Sequence, residues 1–370
     1  MQLVGVQSLC YGIYLLFSGI LQGDEKIMYL NQRTLNLPVK QVNLRVVDFE
    51  SEISIDTLYQ YISAEGFPIY YSRNIRTNVC FDNKCRLLDI IVYWNLTGRY
   101  LGFELPEEEY LSKTDHDPFT EEEYVRLNEL LLNPTSPLGQ YSYKELIMEA
   151  VSTTEEVDGV SGATSKEVLE FVVKGAAYTT HKLYEVIYGP TKTEIANWTK
   201  ESFTSEFLTT LLQSENYSDV VWVLENIRGK LTLYPELRNQ LFSFIEGADF
   251  TLSEKAIHVL VAADLEDIAL QRNLADFAVS TDAGKRKWIL ELFQHTEQLH
   301  GNIPTIFNGA VSQLDVPSIV KLLEIYTVHK IQSKETIKMA RTLSRSKNAY
   351  LANKASLYLT FLSAQTNTIY

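Results

Sequence analysis

Ile75-Arg-Thr-Asn-Val-Cys80-Phe-Asp-Asn-Lys-Cys85-Arg-Leu-Leu-Asp-Ile-Ile-Val-Tyr-Trp94 reads as two β-strands joined by a tight turn. Ile75 to Cys80 and Cys85 to Trp94 flank Phe81-Asp82-Asn83-Lys84, with Asp-Asn at the tip. A two-residue turn sets Phe81 opposite Lys84 and Cys80 opposite Cys85. Opposed residues in such a hairpin lie ~4.5 to 5.5 Å apart at Cα, within reach of a disulfide. An oxidising compartment would join the pair and a reducing one would keep two thiols. Zinc is a third reading, although no second Cys pair exists to complete four ligands. Strand character continues to Phe103 and also occurs upstream, from Asn43 to Val47.

Beyond the strands the chain turns acidic. Glu104 to Glu129 holds ten acids against Lys113 and Arg126. Thr120 with Glu123 has capping-box spacing, and Phe119 with Tyr124 forms the matching hydrophobic staple, so a helix is expected to start at Glu121. Ser142 with Glu145, stapled by Tyr141 and Leu146, repeats the device. His116, in Lys113-Thr-Asp-His-Asp-Pro-Phe119, is a candidate ligand or proton shuttle. Its plainer role is a loop histidine bonded to neighbouring carboxylates or backbone.

The segment Val157-Asp-Gly-Val-Ser-Gly-Ala-Thr164-Ser-Lys-Glu167 precedes apolar or small residues at Val168, Val172, Gly175, Ala176, Thr179, Leu183, Val186 and Ile187. That three-to-four spacing, ended by Gly189-Pro190, predicts one long amphipathic helix. Thr164 and Glu167 have capping-box spacing, so Thr164 can serve as an N-cap. The small residues Ser161, Gly162 and Ala163 also bring bare backbone N–H groups to the helix start, a place where phosphate binds well.

Asp158-Gly-Val-Ser161-Gly162-Ala163-Thr164-Ser165 resembles the D-x-x-S/T-G-A-T/S motif of the FMN-binding domain family. That domain occurs in flavin-carrying subunits of Na⁺-translocating NADH:quinone reductase and the related Rnf complexes. The resemblance implies FMN held as a phosphoester on Thr164, attached by a separate flavin transferase outside the cytoplasm. Asp158 would be the acid that the transfer needs, Ser161 to Ala163 the phosphate loop, and Ser165 the helix start. It further implies an α+β domain, an antiparallel sheet with helices, in which the Ile75 to Phe103 strands belong to the sheet. Such a chain is an electron carrier with a redox partner protein and no catalytic acid or base of its own. Tyr178, His181 and Trp94 are candidate contacts to the flavin ring, equally explained as ordinary structural positions.

The rest of the chain sets the context. Met1 to Gly23 carries no charge and is largely apolar, which predicts a signal peptide or a membrane anchor, or else a buried N-terminal element. An exported protein of the periplasm or cell envelope is expected. Residues 24–190 would form the flavin domain. From 191 to 370 apolar clusters such as Phe207, Leu208, Leu211 and Leu212, or Ile319, Leu322, Leu323 and Tyr326, predict short helices throughout. These suit an all-α HEAT-like solenoid or a helical bundle, although no sharp repeat aligns. A non-redox interaction protein, with Ser161 to Thr164 as a mere helix cap, is the alternative function. The histidines at 258, 295, 300 and 329 have no partner at metal-ligand spacing.

The formal net charge of −14 over 370 residues argues against a nucleic-acid binder. Residues 1–200 carry 17 basic and 28 acidic side chains, so most of the excess lies on the expected flavin domain. A partner meeting that domain is expected to present a basic face.

Overall fold

The computed structural model describes residues 26–30, 33–48, 56–79, 86–113, 116–142, 145–146 and 168–366. Contacts divide the chain into two compact units, one ending at Thr199 and one beginning at Lys200. The first is α+β and the second is helical.

The first unit is built on six strands: β1 (Met28–Leu30), β2 (Gln41–Val47), β3 (Asp56–Ile62), β4 (Pro68–Thr77), β5 (Leu88–Asn95) and β6 (Tyr100–Glu104). They form one antiparallel sheet in the order β1-β6-β5-β4-β3-β2. Strands β2 to β6 therefore meander, and β1 closes the far edge against β6. Thr77 lies opposite Leu88, the register that the expected turn demands. The turn itself lies outside the described residues.

Alternation along each strand decides which side chains meet the helices. Leu58, Tyr71, Ile90, Val92, Trp94 and Phe103 are all fully buried, and they form one core with residues of α1 (Glu121–Leu131), α2 (Ala177–Tyr188) and α3 (Pro190–Glu201). Each such side chain contributes about 1.5 to 3 kcal/mol by leaving water. Helix α1 starts where the sequence predicts: Thr120 Oγ1 accepts from Glu123 N–H at 3.3 Å and Glu123 Oε2 accepts from Thr120 N–H at 2.8 Å. The staple rings of Phe119 and Tyr124 are 5.3 Å apart. At the second expected box Ser142 N–H and Oγ–H both donate to Glu145 Oε2, at 2.7 and 2.6 Å, so one half of the device is present, and the residues beyond Leu146 lie outside the described ones.

Two expectations need correction. The predicted long helix from Val168 to Gly189 starts only at Ala177. Before it come a 3-10 turn at Leu169–Phe171, an extended Val172 and a turn through Gly175 at φ +78°. Apolar spacing reported burial there and not helix, since Val168, Val172, Val173 and Ala176 all reach the core by other backbone paths. The boundary expected at Pro190 falls after Thr199, because α3 is bound to the sheet. Its buried face places Trp198 5.5 Å from the Tyr71 ring, Thr199 Oγ1 2.7 Å from Leu96 O, and Thr191 Oγ1 2.6 Å from Arg73 Nη1.

The second unit comprises α4 (Ser205–Leu212), α5 (Tyr217–Asn226), α6 (Arg238–Glu246), α7 (Phe250–Val259), α8 (Ile268–Ser280), α9 (Ala283–His295), α10 (Asn302–Ala310), α11 (Val316–Val328), α12 (Lys334–Leu343) and α13 (Ala349–Thr366). Side chains of Thr204, Asn216, Asp249, Asp267, Asp282, Asp315 and Ser333 cap seven of these helices. Helices two apart in sequence pack together: α5 on α7, α7 on α9, α9 on α11, α11 on α13, and likewise α8 on α10 and α10 on α12. Polar ties follow the same rule. Lys255 binds Glu225, Arg238 binds Asp267, Arg286 binds Asp315, Asn308 binds Thr336 and Lys354 binds Glu324, at sequence separations of 28 to 30.

Candidate functional site

The residues of the attachment motif, Asp158, Ser161, Gly162, Ala163, Thr164 and Ser165, lie outside the described residues, as do Cys80 and Cys85 and the apolar stretch 1–23. Leu146 before the motif and Val168 after it are both fully buried in the helix-side core.

From Val168 the chain is fastened at three places before α2 begins. Arg126 Nη2, on α1, donates to Glu170 O at 2.6 Å. The methylenes of Lys113 pass over Gly175, close enough that an added Cβ would meet them at 3.5 to 3.6 Å. Thr180 Oγ1 accepts from Val173 N–H at 3.2 Å and donates to Ala176 O at 2.9 Å, which ties the segment before α2 to the first turn of that helix.

Lys113 is itself held. Its Nζ is 3.1 Å from Glu123 Oε1, the carboxylate that also closes the capping box of α1. Its N–H donates to Asp117 O and its carbonyl accepts from His116 N–H, both at 2.9 Å. His116 takes φ +63° to make that turn and is exposed. The capping box, the 111–119 loop and the descending segment are thus one connected piece, with the Arg126 and Lys113 cations beside the residues that follow the motif.

The three candidate contacts to a flavin ring are all packed into the first unit. Trp94 is fully buried and its Nε1 donates to Ile187 O at 3.1 Å. His181 is 1% exposed, with Nε2 2.8 Å from Tyr141 O. Tyr178 packs, half-buried, against the core.

A second cluster, on the sheet face turned away from the helices, went unnoticed in the sequence. Tyr61 stacks on Tyr70 with centroids 4.2 Å apart, and Tyr93 lies 6.1 Å from Tyr70. Tyr93 Oη donates to Glu104 Oε1 at 3.1 Å, and Lys26 Nζ sits 3.1 Å from Glu104 Oε2. Burial, then the neighbouring Tyr61 and the Glu104 carboxylate, push the Tyr70 phenol up to about 12. Burial and Glu104 raise Tyr93 further still. These phenols stay protonated at neutral pH and act as flat apolar surfaces and hydroxyl donors, never as bases. The signal was period-two alternation: Tyr59, Tyr61, Tyr70, Ser72 and Tyr93 fall on one face once the strands are paired.

Among the described residues no group of three His, Cys, Asp or Glu side chains could hold a metal ion, and no helix is long and apolar enough to cross a membrane. His329 and His300 bond to backbone groups of the helical unit. No protein-family model matches the chain, and neither does any curated protein or solved structure.

Proposed function

We propose that the chain is an exported flavoprotein electron carrier with FMN attached through its phosphate to Thr164. The observation that carries the reading is the Asp158 to Ser165 sequence itself, in a chain whose first unit has an antiparallel sheet backed by helices and whose Leu146 and Val168, on either side of the motif in sequence, are buried in the core. Arg126 and Lys113 support it, as cations fixed beside the chain that descends from the motif. Bound FMN would supply acceptance and release of one or two electrons. The protein's own part would be to hold the phosphate end at Ser161 to Thr164 and to present the ring to a redox partner protein. Attachment would require a flavin transferase in the same compartment, and residues 1–23 would deliver the chain there or anchor it to the membrane.

The test is co-expression with a flavin transferase followed by in-gel fluorescence after denaturation. A fluorescent band that disappears in Thr164→Ala is expected. A dark wild-type band, or a bright band in Thr164→Ala, would overturn the assignment.

The alternative, a non-redox interaction protein in which the helical unit is the working part, is favoured by one surface. We read that unit as a HEAT-like solenoid, since helices stack with their second neighbours and the ties recur at near-constant spacing. Lys334, Lys338 and Arg341 of helix α12, with Arg345 just beyond it, are exposed along one groove, and among the described residues none of them has an ion-pair partner. In a chain of net charge −14, that face suits an acidic protein surface. Retention of partner binding in a flavin-free Thr164→Ala chain, with its loss when the four cations are replaced by Gln, would favour this second reading.

A further inference from the structure

Strand β2 is the last strand of the sheet, and among the described residues no strand pairs with its outer edge. Soluble proteins usually blunt such an edge with proline, lysine or an inward charge. Here Gln41-Val-Asn-Leu-Arg-Val-Val47 has no proline or lysine, and its single charge, Arg45, is turned inward to the helix side, where a carboxylate neutralises it. There it pairs with Glu194 at 3.1 Å and lies 4.4 Å over the Trp198 ring. The opposite face shows Val42, Leu44 and Val46, which are 48, 66 and 64% exposed. Leu37 and Val39 extend the apolar surface just before the strand.

The charges at the two ends identify what this edge can accept. Lys40 precedes the strand and Asp48 follows it, both exposed and each four residues from Leu44. Place a second copy antiparallel, with a two-fold axis through Leu44. Leu44 then faces Leu44 of the other copy, Val42 faces Val46, Asn43 faces Arg45, and Lys40 faces Asp48 at both ends. A parallel pairing would set Lys40 beside Lys40 and Asp48 beside Asp48. Any other antiparallel register separates the opposite charges and offsets the apolar residues. The edge is therefore self-complementary in one register, as an isologous interface must be.

We propose that two copies of this chain associate through β2, continuing the sheet across a two-fold axis centred on Leu44. The contact is independent of the flavin. One strand pair buries less surface than a permanent dimer needs, so the association is reversible and depends on concentration.

The full chain is tested by sedimentation velocity over a range of micromolar concentrations. A monomer–dimer equilibrium is expected. Leu44→Lys, at an exposed position, weakens it about tenfold or more with unchanged thermal stability. Asp48→Lys weakens it several-fold, and the exchange Lys40→Glu with Asp48→Lys restores it. Register is read by oxidation of Leu44→Cys: a peptide linked through Cys at 44 in both copies is expected by mass spectrometry, whereas Val42→Cys alone gives no such self-link, since 42 faces 46. A monomer at every concentration, a dimer indifferent to Leu44→Lys, or self-linking at 42 in place of 44 would overturn the proposal.

Discussion

Asp315 caps the start of α11 and at the same time holds the Arg286 guanidinium of α9 at 2.7 Å. The same guanidinium donates to Ala278 O at 2.7 Å and to Thr281 O at 2.5 Å, so one side chain closes the end of α8 and fixes the beginning of α11. Lys285, its neighbour, closes α6 through Ile245 O and Gly247 O. Cations at helix C-termini also oppose the helix dipole.

Replacing Arg286 with Met should therefore cost more than a lost surface ion pair. Arg286 is 8% exposed and Asp315 is 36% exposed, so solvent screens part of the pair. A destabilisation of about 2 to 3 kcal/mol is expected. Asp315→Asn, which can still cap, should cost about 1 kcal/mol or less. Urea denaturation followed by circular dichroism measures both, and equal losses would show that the carbonyl bonds do not matter.

Acid should loosen this unit. Burial raises the Asp315 carboxyl, but hydrogen bonds from Ser318 and the Arg286 charge outweigh it and hold the pKa below the ordinary value. Asp267 behaves alike, with burial opposed by the Leu270 N–H and by Arg238. A depressed carboxylate contributes stability that is present above its unfolded pKa of about 3.9 and is lost as pH falls through the folded value. Melting temperature should thus hold from neutral pH to about 4 and fall below it. The double change Asp267→Asn with Asp315→Asn should make that fall shallower.

The features legible in the sequence were those with local chemistry. Thr120 and Glu123 announce α1 because a capping box involves only neighbours. The Ile75 to Trp94 hairpin is legible for the same reason, and its described strands pair in the expected register. Harder to see was α2, whose start depends on Gly175 taking φ +78° under Lys113, a residue far away in sequence. Trp198 falls within the helical half by sequence, and its contact with Tyr71, 127 residues earlier, ties it to the sheet. The recurrence in the helical unit is hidden because the spacing persists while the chemistry changes: Lys with Glu, Arg with Asp, Asn with Thr. Residues 157–167, which carry the motif, lie outside the described residues.

Gly102 offers a sharp test of how β1 is held. It takes φ +141°, and a Cβ there would lie 2.1 Å from Tyr29 O, a backbone atom of β1. Gly102→Ala should break the pairing of Leu30 with Gly102 and release β1 from the edge, costing about 2 kcal/mol or more. Limited proteolysis should then cut near Met28 to Leu30, where the wild type resists.

The tyrosine face should reveal itself in alkali. Tyr70, raised to about 12, should ionise after the exposed phenols in a titration followed at the phenolate absorbance. A raised phenol gives stability that is intact below the ordinary value of about 10 and lost as pH climbs toward the folded value. Glu104→Gln removes a nearby negative charge and should bring the Tyr70 and Tyr93 transitions to lower pH. An unchanged titration would show that burial alone sets them.

Ties that join five pairs of second-neighbour helices at 28 to 30 residues have a mechanical meaning. A force applied at α13 loads the Lys354–Glu324 contact first, while ties further back bear little strain. Once a tie gives way, the released stretch of chain extends by roughly 100 Å before the next one is loaded. The helical unit would lengthen in steps under tension, a sawtooth whose spacing reports the period that the amino acids conceal.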